Sequence, residues 1–286
     1  MFAEHRPYLF AAAYRMLGVA EDAEDVLQDA WLRFSTASAT DLRNPRAYLV
    51  TIVTRLSVDL LRSARKRREE YVGVWLPEPV QTRDAIPEEL MERADSASFA
   101  FLLLLERLSP LQRAVLVLYD VLDYSHDEVS TAIGRTPAAS RQILRRARLK
   151  LGDATPTKTL PKQETRELAD RFCQATRSGD VEALIGALAP DVVLMSDGGG
   201  RVAAVSRPLA GNARVGRFLA TVRQQGGWGP IVLTELNAQP TVLIHEDGVL
   251  TNALLMDVTR AGITAIYVVR NPDKLGRLAE AARVEP

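Results

Sequence analysis

The sequence has almost none of the residues that hold metals or disulfides. Cys173 is its only cysteine, and its three histidines, His5, His126 and His245, are scattered along the chain. One thiol cannot form an internal disulfide or a cysteine-cluster zinc site, and histidines so far apart offer no ligand spacing. No metal and no cofactor is expected. No apolar run approaches the ~20 residues that span a bilayer. The first residues, with acid and base among them, lack the apolar centre of a signal peptide. The expected compartment is therefore the cytoplasm, with no membrane partner. Net charge is missing too, with 36 basic against 36 acidic residues. A uniformly basic coat for nucleic acid is thereby excluded.

What charge there is has been sorted along the chain. Arg62, Arg65, Lys66, Arg67 and Arg68 form one basic cluster, and residues 137–151 form another. Asp22, Glu24, Asp25 and Asp29 form an acidic one. Such sorting assigns different partners to different faces. At 286 residues the chain can hold two or three domains, each with its own core.

The residues Leu108–Leu151 organise the rest. Ser109-Pro110 reads as an N-cap with proline at the first helical position, and an almost unbroken apolar helix follows to about Leu122. Ser125-x-x-Glu128 is a capping box that opens a short helix burying Val129, Ala132 and Ile133. Gly134 stands where a left-handed residue closes a helix. Thr136-Pro137 caps the next helix, whose apolar residues Ala139, Ile143, Leu144, Ala147 and Leu151 keep helical spacing. Its other face carries Arg141, Arg145, Arg146, Arg148 and Lys150 without one acid. A solvated helical hairpin would also carry surface arginines. Two caps, a glycine turn and one-signed charge in this order favour a helix-turn-helix that enters a major groove.

Before this stretch, Pro7–Leu17 is apolar enough for a helix stopped by Gly18. Glu21–Phe34 is amphipathic, with Ala23, Val26, Leu27, Ala30, Trp31 and Phe34 as its buried stripe and acids in its first turns. Leu32 lies with Asp25, Gln28 and Asp29 on the polar side, as a docking face for a partner helix would show. After a polar loop, Ser35–Arg43, Asn44-Pro45 caps a long helix to about Arg68, with Tyr48, Leu49, Ile52, Val53, Leu56, Leu60 and Leu61 as core positions. Its basic end reads either as a solvated helix terminus or as a phosphate contact. From Tyr71 to Pro87, prolines and Gly73 break regularity, yet Val72, Val74, Trp75, Leu76 and Val80 are apolar. A free tether has no reason to carry them; packing on a domain surface is favoured over waiting for a partner. A helix from Pro87 through Arg107 completes this half.

Beyond a second linker, Thr155–Pro161, the pattern changes. Helices are expected at about Gln163–Arg177 and Val181–Leu188, then a strand at Asp191–Met195, the turn Asp197–Gly200, a strand at Val202–Val205 and a helix at about Gly211–Gln224. Four β-rich segments follow, Ile231–Asn237, Thr241–His245, Val249–Val258 and Ile263–Val269, with turns at Gly248 and Ala261-Gly262. Helices first and an antiparallel curved sheet after indicate an α+β domain. The chain closes with Asn271–Leu275 and a short polar helix.

These residues resemble a known family. Asp22–Phe34 (DAEDVLQDAWLRF) is similar to the helix of sigma region two, Asn44–Leu49 (NPRAYL) with Asp59–Arg62 (DLLR) to the helix after it, and Leu108–Leu151 to region four. They cover about half the chain in the order of small extracytoplasmic-function bacterial sigma factors, which lack region three. The remainder resembles the subgroup with a fused SnoaL-like domain of nuclear-transport-factor-like fold, marked by WLPEP at Trp75–Pro79, DGGG at Asp197–Gly200 and NPDKL at Asn271–Leu275. The fold class implied is multidomain, two all-α sigma domains followed by an α+β cone. The expected boundaries are 1–70 for region two, 71–86 for the linker, 87–153 for region four, 154–161 for a second linker and 162–286 for the SnoaL-like domain.

The resemblance implies roles. Asp25, Gln28, Asp29 and Leu32 would dock on the β′ clamp helices of RNA polymerase core, and region four would meet the β flap. Asn44, Arg46, Tyr48 and Arg55 would hold the unpaired minus-ten strand, with Arg62 and the cluster after it on phosphates, since a flipped base needs a stacking surface and cations. Tyr48 also reads as plain core. Thr136, Ala138, Ser140, Arg141 and Arg145 would face the minus-thirty-five element, some reading bases and the rest phosphates. The C-terminal domain would regulate in cis by gripping Trp75, Leu76 and Pro77 through Asp197, Asn271, Pro272, Asp273 and Lys274. Its cone suggests a pocket lined by Trp228, His245, Asn252 and Met256, with Asp197 and Asp257 as further polar lining. An Asp197–His245 acid–base pair is the enzymatic alternative, but fold analogy does not license it, and no enzyme activity is expected. A metabolite-sensing helix-turn-helix regulator is the other alternative.

Overall fold

Caps and apolar stripes set the helices of the first half in the computed structural model, which describes residues 1–36, 44–85, 87–152, 160–226 and 228–284. The side chains of Arg65, Lys66, Arg67 and Arg68, most of the loop 35–43 and most of the second linker lie outside the described residues. Helix α1 (Phe2–Leu17) stops at Gly18, left-handed at φ 72°. It begins before Pro7, because the Phe2 ring packs on Phe34 at 6.2 Å and holds the earlier turn. Helix α2 (Ala20–Thr36) buries Ala23, Val26, Leu27 and Ala30. Trp31, expected in that stripe, is instead 49% exposed beside Leu32, also 49%. At 100° per residue it sits about 90° from the stripe's centre, outside the packed sector. Helix α3 (Pro45–Glu69) buries Leu49, Ile52, Val53 and Leu61 and leaves Tyr48, Leu56 and Leu60 half-buried.

The single helix expected over 87–107 is divided. After the short α4 (Thr82–Ala85), a 3₁₀ segment spans Glu88–Ala97, and Ser98 at ψ 151° accepts the Phe101 amide and starts α5 (Phe99–Glu106) afresh. Helix α6 (Pro110–Leu116) opens on the Ser109 capping box and runs into a π-helical turn, Val117–Val121. Helices α7 (His126–Ile133) and α8 (Pro137–Leu151) follow, joined through Gly134 at φ 64°. Ile133, expected with Val129 and Ala132 in the core, is only half-buried. Because α3 packs against α6 and α7, the two helical domains form one unit, Met1–Glu70 with Thr82–Thr155. The second unit is Pro156–Pro286 together with Tyr71–Gln81, so most of the stretch expected as a separate linker belongs to the C-terminal fold.

That unit starts with α9 (Lys162–Ser178) and α10 (Val181–Ala187), then β1 (Leu188–Asp197), β2 (Leu209–Ala210), α11 (Asn212–Gln224), β3 (Ile231–Leu236), β4 (Gln239–Glu246), β5 (Val249–Thr259), β6 (Gly262–Val269) and α12 (Pro272–Val284). The sheet order is β2-β1-β6-β5-β4-β3. It is mixed rather than wholly antiparallel: β1 enters beside the last strand and runs parallel to β6. Residues Val202–Val205, expected as a strand, form no strand; the pairing partner of β1 on that side is Leu209–Ala210. Register shifts in the β1/β6, β4/β5 and β5/β6 pairs mark bulges that curve the sheet. Helices and sheet close over Phe172, Leu184, Val192, Leu219, Ile244 and Met256. Helix α12 packs against β5, whose Ala253 and Leu255 alternate away from that core and are fully buried. This is an α+β fold, its helices packed on one curved, mixed six-stranded sheet. Among the described residues, no helix is long and apolar enough to cross a membrane.

Gly262 opens β6 at φ 115°, and a Cβ there would come within 2.8 Å of the Ala189 amide nitrogen. Both backbone and space require glycine. Gly262→Ala is expected to cost about 1–3 kcal/mol in urea unfolding, whereas Gly186→Ala, within helix α10 where a Cβ meets nothing within 4 Å, should be stabilising by about 0.4–1 kcal/mol.

Candidate nucleic-acid interface and linker site

In α7–α8 every local signal is realised. Ser125 and Glu128 close a capping box, and Thr136 Oγ1 accepts the Ala139 amide at 3.2 Å. Arg141, Arg145 and Arg146 are exposed on α8, as is Ala138. A groove beside α8 is lined by His126, Arg141, Leu144, Arg145, Arg148 and Leu149 with Gly152. Ser140, expected on the reading face, is fully buried and bonds His126 Nδ1 at 3.1 Å. It lies on the α8 side that meets α7 and is unavailable to a base. Arg148 is held by Asp120, which raises its pKa. Burial, then Arg141 and Arg148, push the His126 imidazole below its usual value, which keeps it neutral against Ser140.

On α2, Asp25, Gln28, Asp29 and Leu32 are all exposed, and the exposed Trp31 adjoins them. The expected minus-ten residues do not form one open patch. Asn44 Oδ1 accepts the Ala47 amide at 3.1 Å as the cap of α3. Arg46 lies over the Tyr8 ring at 3.7 Å, and Tyr48 is half-buried. Arg55 is hydrogen-bonded to α7, and Arg62 pairs with Asp59 at 3.0 Å on the surface.

The most elaborate polar site is where the linker meets the cone. Asp197, at the end of β1, is completely buried. Its Oδ1 accepts Tyr71 Oη at 2.5 Å and the Gly199 amide at 2.9 Å. Its Oδ2 accepts the Leu76 amide at 2.9 Å and Lys274 Nζ at 2.7 Å. Lys274 Nζ, from the first turn of α12, also donates to the Leu76 carbonyl and sits 4.5 Å from the Trp75 ring centre. Asn271 Nδ2 donates to Tyr71 Oη at 3.1 Å, and Gly199 has no Cβ because Asn271 occupies that space. At the linker's other end Val80 and Asn237 exchange bonds, Val80 N to Asn237 Oδ1 at 2.9 Å and Asn237 N to Val80 O at 3.1 Å. Residues Leu76–Val80 between these anchors are buried. A buried ion pair is tolerated only when its remaining capacity is satisfied, and here four donors complete the carboxylate.

The expected grip residues Trp75, Leu76, Asp197, Asn271 and Lys274 are thus brought together, and Pro77 is buried in the same run. Pro272 and Asp273 point outward, with Asp273 paired to Arg201 at 3.0 Å. Tyr71 and Asn237 were not anticipated. Tyr71 precedes the motif, and nothing in the sequence ties an asparagine in a turn at φ 53° to residue 80.

The expected pocket residues are less united. Met256 lies in the packed core, and Trp228 packs against it half-buried. Asn252 is buried and donates to Thr251 Oγ1 at 2.9 Å, while the His245 Nδ1 is buried without a partner. Asp257 alternates to the other side of the sheet, where Tyr267 Oη (2.6 Å) and Gln239 Nε2 (2.5 Å) donate to it; burial pushes its carboxyl up. Asp197 is filled by the linker, so the Asp197–His245 acid–base pair does not form.

The comparisons with known proteins agree with this geometry. Residues 1–67 match the Sigma-70 region 2 family, and residues 98–151 match Sigma-70 region 4. The helical unit is therefore that of a sigma-70-class initiation factor. The extracytoplasmic-function (ECF) RNA polymerase sigma factor SigJ of Mycobacterium tuberculosis is 36% identical over 300 residues, covering all of this chain and 96% of that one. A probable ECF sigma factor, SigI, from the same species is 29% identical, covering 96% and 93%. The crystal structure of M. tuberculosis SigJ superposes with a TM-score of 0.75 over 96% of this chain and 97% of that one, at 31% identity. The chain belongs to the ECF sigma factors, which direct promoter-specific initiation by RNA polymerase.

Lys274→Met, which removes one partner of the buried pair, is expected to cost about 3–5 kcal/mol in urea unfolding and to speed hydrogen exchange at the Leu76 amide. Burial, reinforced by Asp197, raises the Tyr71 phenol above its usual value. Its contribution is therefore present below about pH 10, the unfolded value, and is lost as pH rises past it. Between pH 9 and pH 11.5, wild type should lose more stability than Tyr71→Phe.

Proposed function

We propose that this factor binds core polymerase through the α2 face and holds the melted minus-ten strand with α3. Helix α8 reads the minus-thirty-five element, and the C-terminal unit regulates these steps in cis by gripping the linker between the two regions. The exposed Asp25, Gln28, Asp29 and Leu32 support the first contact, an acidic face around an apolar anchor. Trp31 enlarges it. Catalysis belongs to the polymerase, in the cytoplasm; this chain contributes binding and strand capture.

One observation carries the regulatory reading: residues 71–81 are part of the C-terminal unit. Two promoter elements about 25 base pairs apart are separated by ~85 Å of duplex, at ~3.4 Å per pair. A linker of these 11 residues spans at most about 40 Å when fully extended. The separation available to regions two and four therefore depends on whether it is free or folded into the cone. The buried Lys274–Asp197 pair and the Val80–Asn237 exchange are what hold it folded. The occupied Asp197 supports a binding role for this domain over an acid–base one.

The chain should co-elute with core enzyme and need it for promoter-specific transcripts; binding to duplex promoters equally well without core would make it an ordinary regulator. Asp29→Arg should weaken core binding, and an unchanged affinity would displace the docking face. Arg141→Ala should cost ~1–3 kcal/mol at one promoter position. Asp197→Ala should change transcript yield several-fold at unchanged core affinity, whereas an equal yield would remove the cis-regulatory reading.

A further inference from the structure

His126 enters none of the promoter contacts assigned above. It is the first residue of α7, half-buried, and its ring stacks on Tyr119 with 4.3 Å between centres. Its Nδ1 meets the hydroxyl of the buried Ser140 at 3.1 Å. These two contacts fix the plane of the ring and one of its nitrogens. Nε2 is left without a protein partner among the described residues. The residue lines the groove beside α8 together with Arg141, Arg145 and Arg148. Those arginines recur at intervals of four and three, so they form one stripe along the helix. The stripe runs beside the buried Ser140, Leu144 and Ala147 rather than opposite them. A helix seated in a major groove turns its outermost residues to base edges and its flanks to the backbones. On this flank Arg148 is occupied, since Asp120 accepts from its Nε at 3.3 Å and from its Nη2. Arg145 is exposed and has no ion-pair partner among the described residues.

We propose that His126 and Arg145 seat one backbone phosphate of the promoter duplex on this flank of α8, with His126 donating from Nε2. This rests on the reading of α8 as the helix that enters the minus-thirty-five element. A serine hydroxyl both donates and accepts, so Ser140 serves Nδ1 whether or not that nitrogen carries a proton. The imidazole therefore takes up a proton without losing its partner. The charged groups facing it are Arg141 and Arg148 of α8, Asp127 beside it on α7 and Asp120 of the π-helical turn. In the free chain burial and the two arginines hold the ring below its ordinary pKa. A phosphate at Nε2 adds a negative charge that favours the protonated ring, so the complex holds that proton to a higher pH than the free chain. The extra affinity is complete below the free chain's value and fades as pH rises through that of the complex. Arg145, charged throughout, supplies the part that does not vary.

The test uses holoenzyme, the full chain with core polymerase. Its probe is a duplex that this holoenzyme selects from a random-sequence pool, cut short of the minus-ten element so that strand capture does not enter. From about pH 8 to about pH 6 wild type should bind roughly twofold to fivefold more tightly, as for one partly exposed ion pair. Over the same range its salt slope should steepen by about one, the counterion of one phosphate. His126→Gln keeps a donor and an acceptor but takes no charge, and it should lose both changes. His126→Arg carries a fixed charge and should bind at about pH 8 as wild type does at about pH 6. The polymerase titrates alike in all three, so differences between them belong to residue 126. Equal pH and salt dependence in wild type and His126→Gln, or no gain by His126→Arg at the higher pH, would overturn the phosphate seat alone. The reading of α8 has its own readout in Arg141→Ala: if that variant binds the duplex like wild type at every pH, the reading fails, and the seat with it.

Discussion

A carboxylate without water is the constraint on which the C-terminal unit depends. Asp197, fully buried, has its carboxylate oxygens satisfied by four donors, from Tyr71, Leu76, Gly199 and Lys274. Two of the four come from the linker, so the charge that belongs to β1 is incomplete without residues more than a hundred positions earlier. Releasing the linker would leave a buried ion pair half-solvated, a state that costs several kcal/mol. The grip is therefore a condition for the cone's own polar balance, and the linker is an integral part of that fold.

The helical unit is held by a different kind of bond. Arginines reach from one region to backbone carbonyls of the other: Arg55 to the end of α7 and Arg113 to the end of α1. Helix ends offer such oxygens wherever the chain turns, so these ties need little from the partner's side chains. They give a contact that is specific in geometry and made to backbone rather than to side chains.

Much of this was legible in the sequence. The caps Ser109, Ser125 and Thr136, the left-handed Gly134 and the α8 spacing are local signals, and each is realised where the residue types place it. The motif residues around Asp197 were legible only as a resemblance; that four donors converge on one carboxylate follows from long-range packing no local pattern encodes. Errors fell where tertiary context overrides periodicity. Trp31 lies at the margin of a helical stripe, where apolar character alone does not decide burial. Ser140 was placed on the reading face by resemblance alone, yet it is buried against His126. Asp257 and Asp197 looked like neighbours of His245 until strand alternation and the linker sent them elsewhere.

The clasp joins Leu76 to Lys274 across 198 residues, and its lysine lies on the last helix of the fold. Ribosomal synthesis proceeds at roughly 5–20 residues per second, so the two DNA-binding regions, complete at residue 151, emerge about 6–25 seconds before the residue that secures their connection. Each newly made molecule thus passes through an interval in which its sigma regions exist and the clasp on their linker does not.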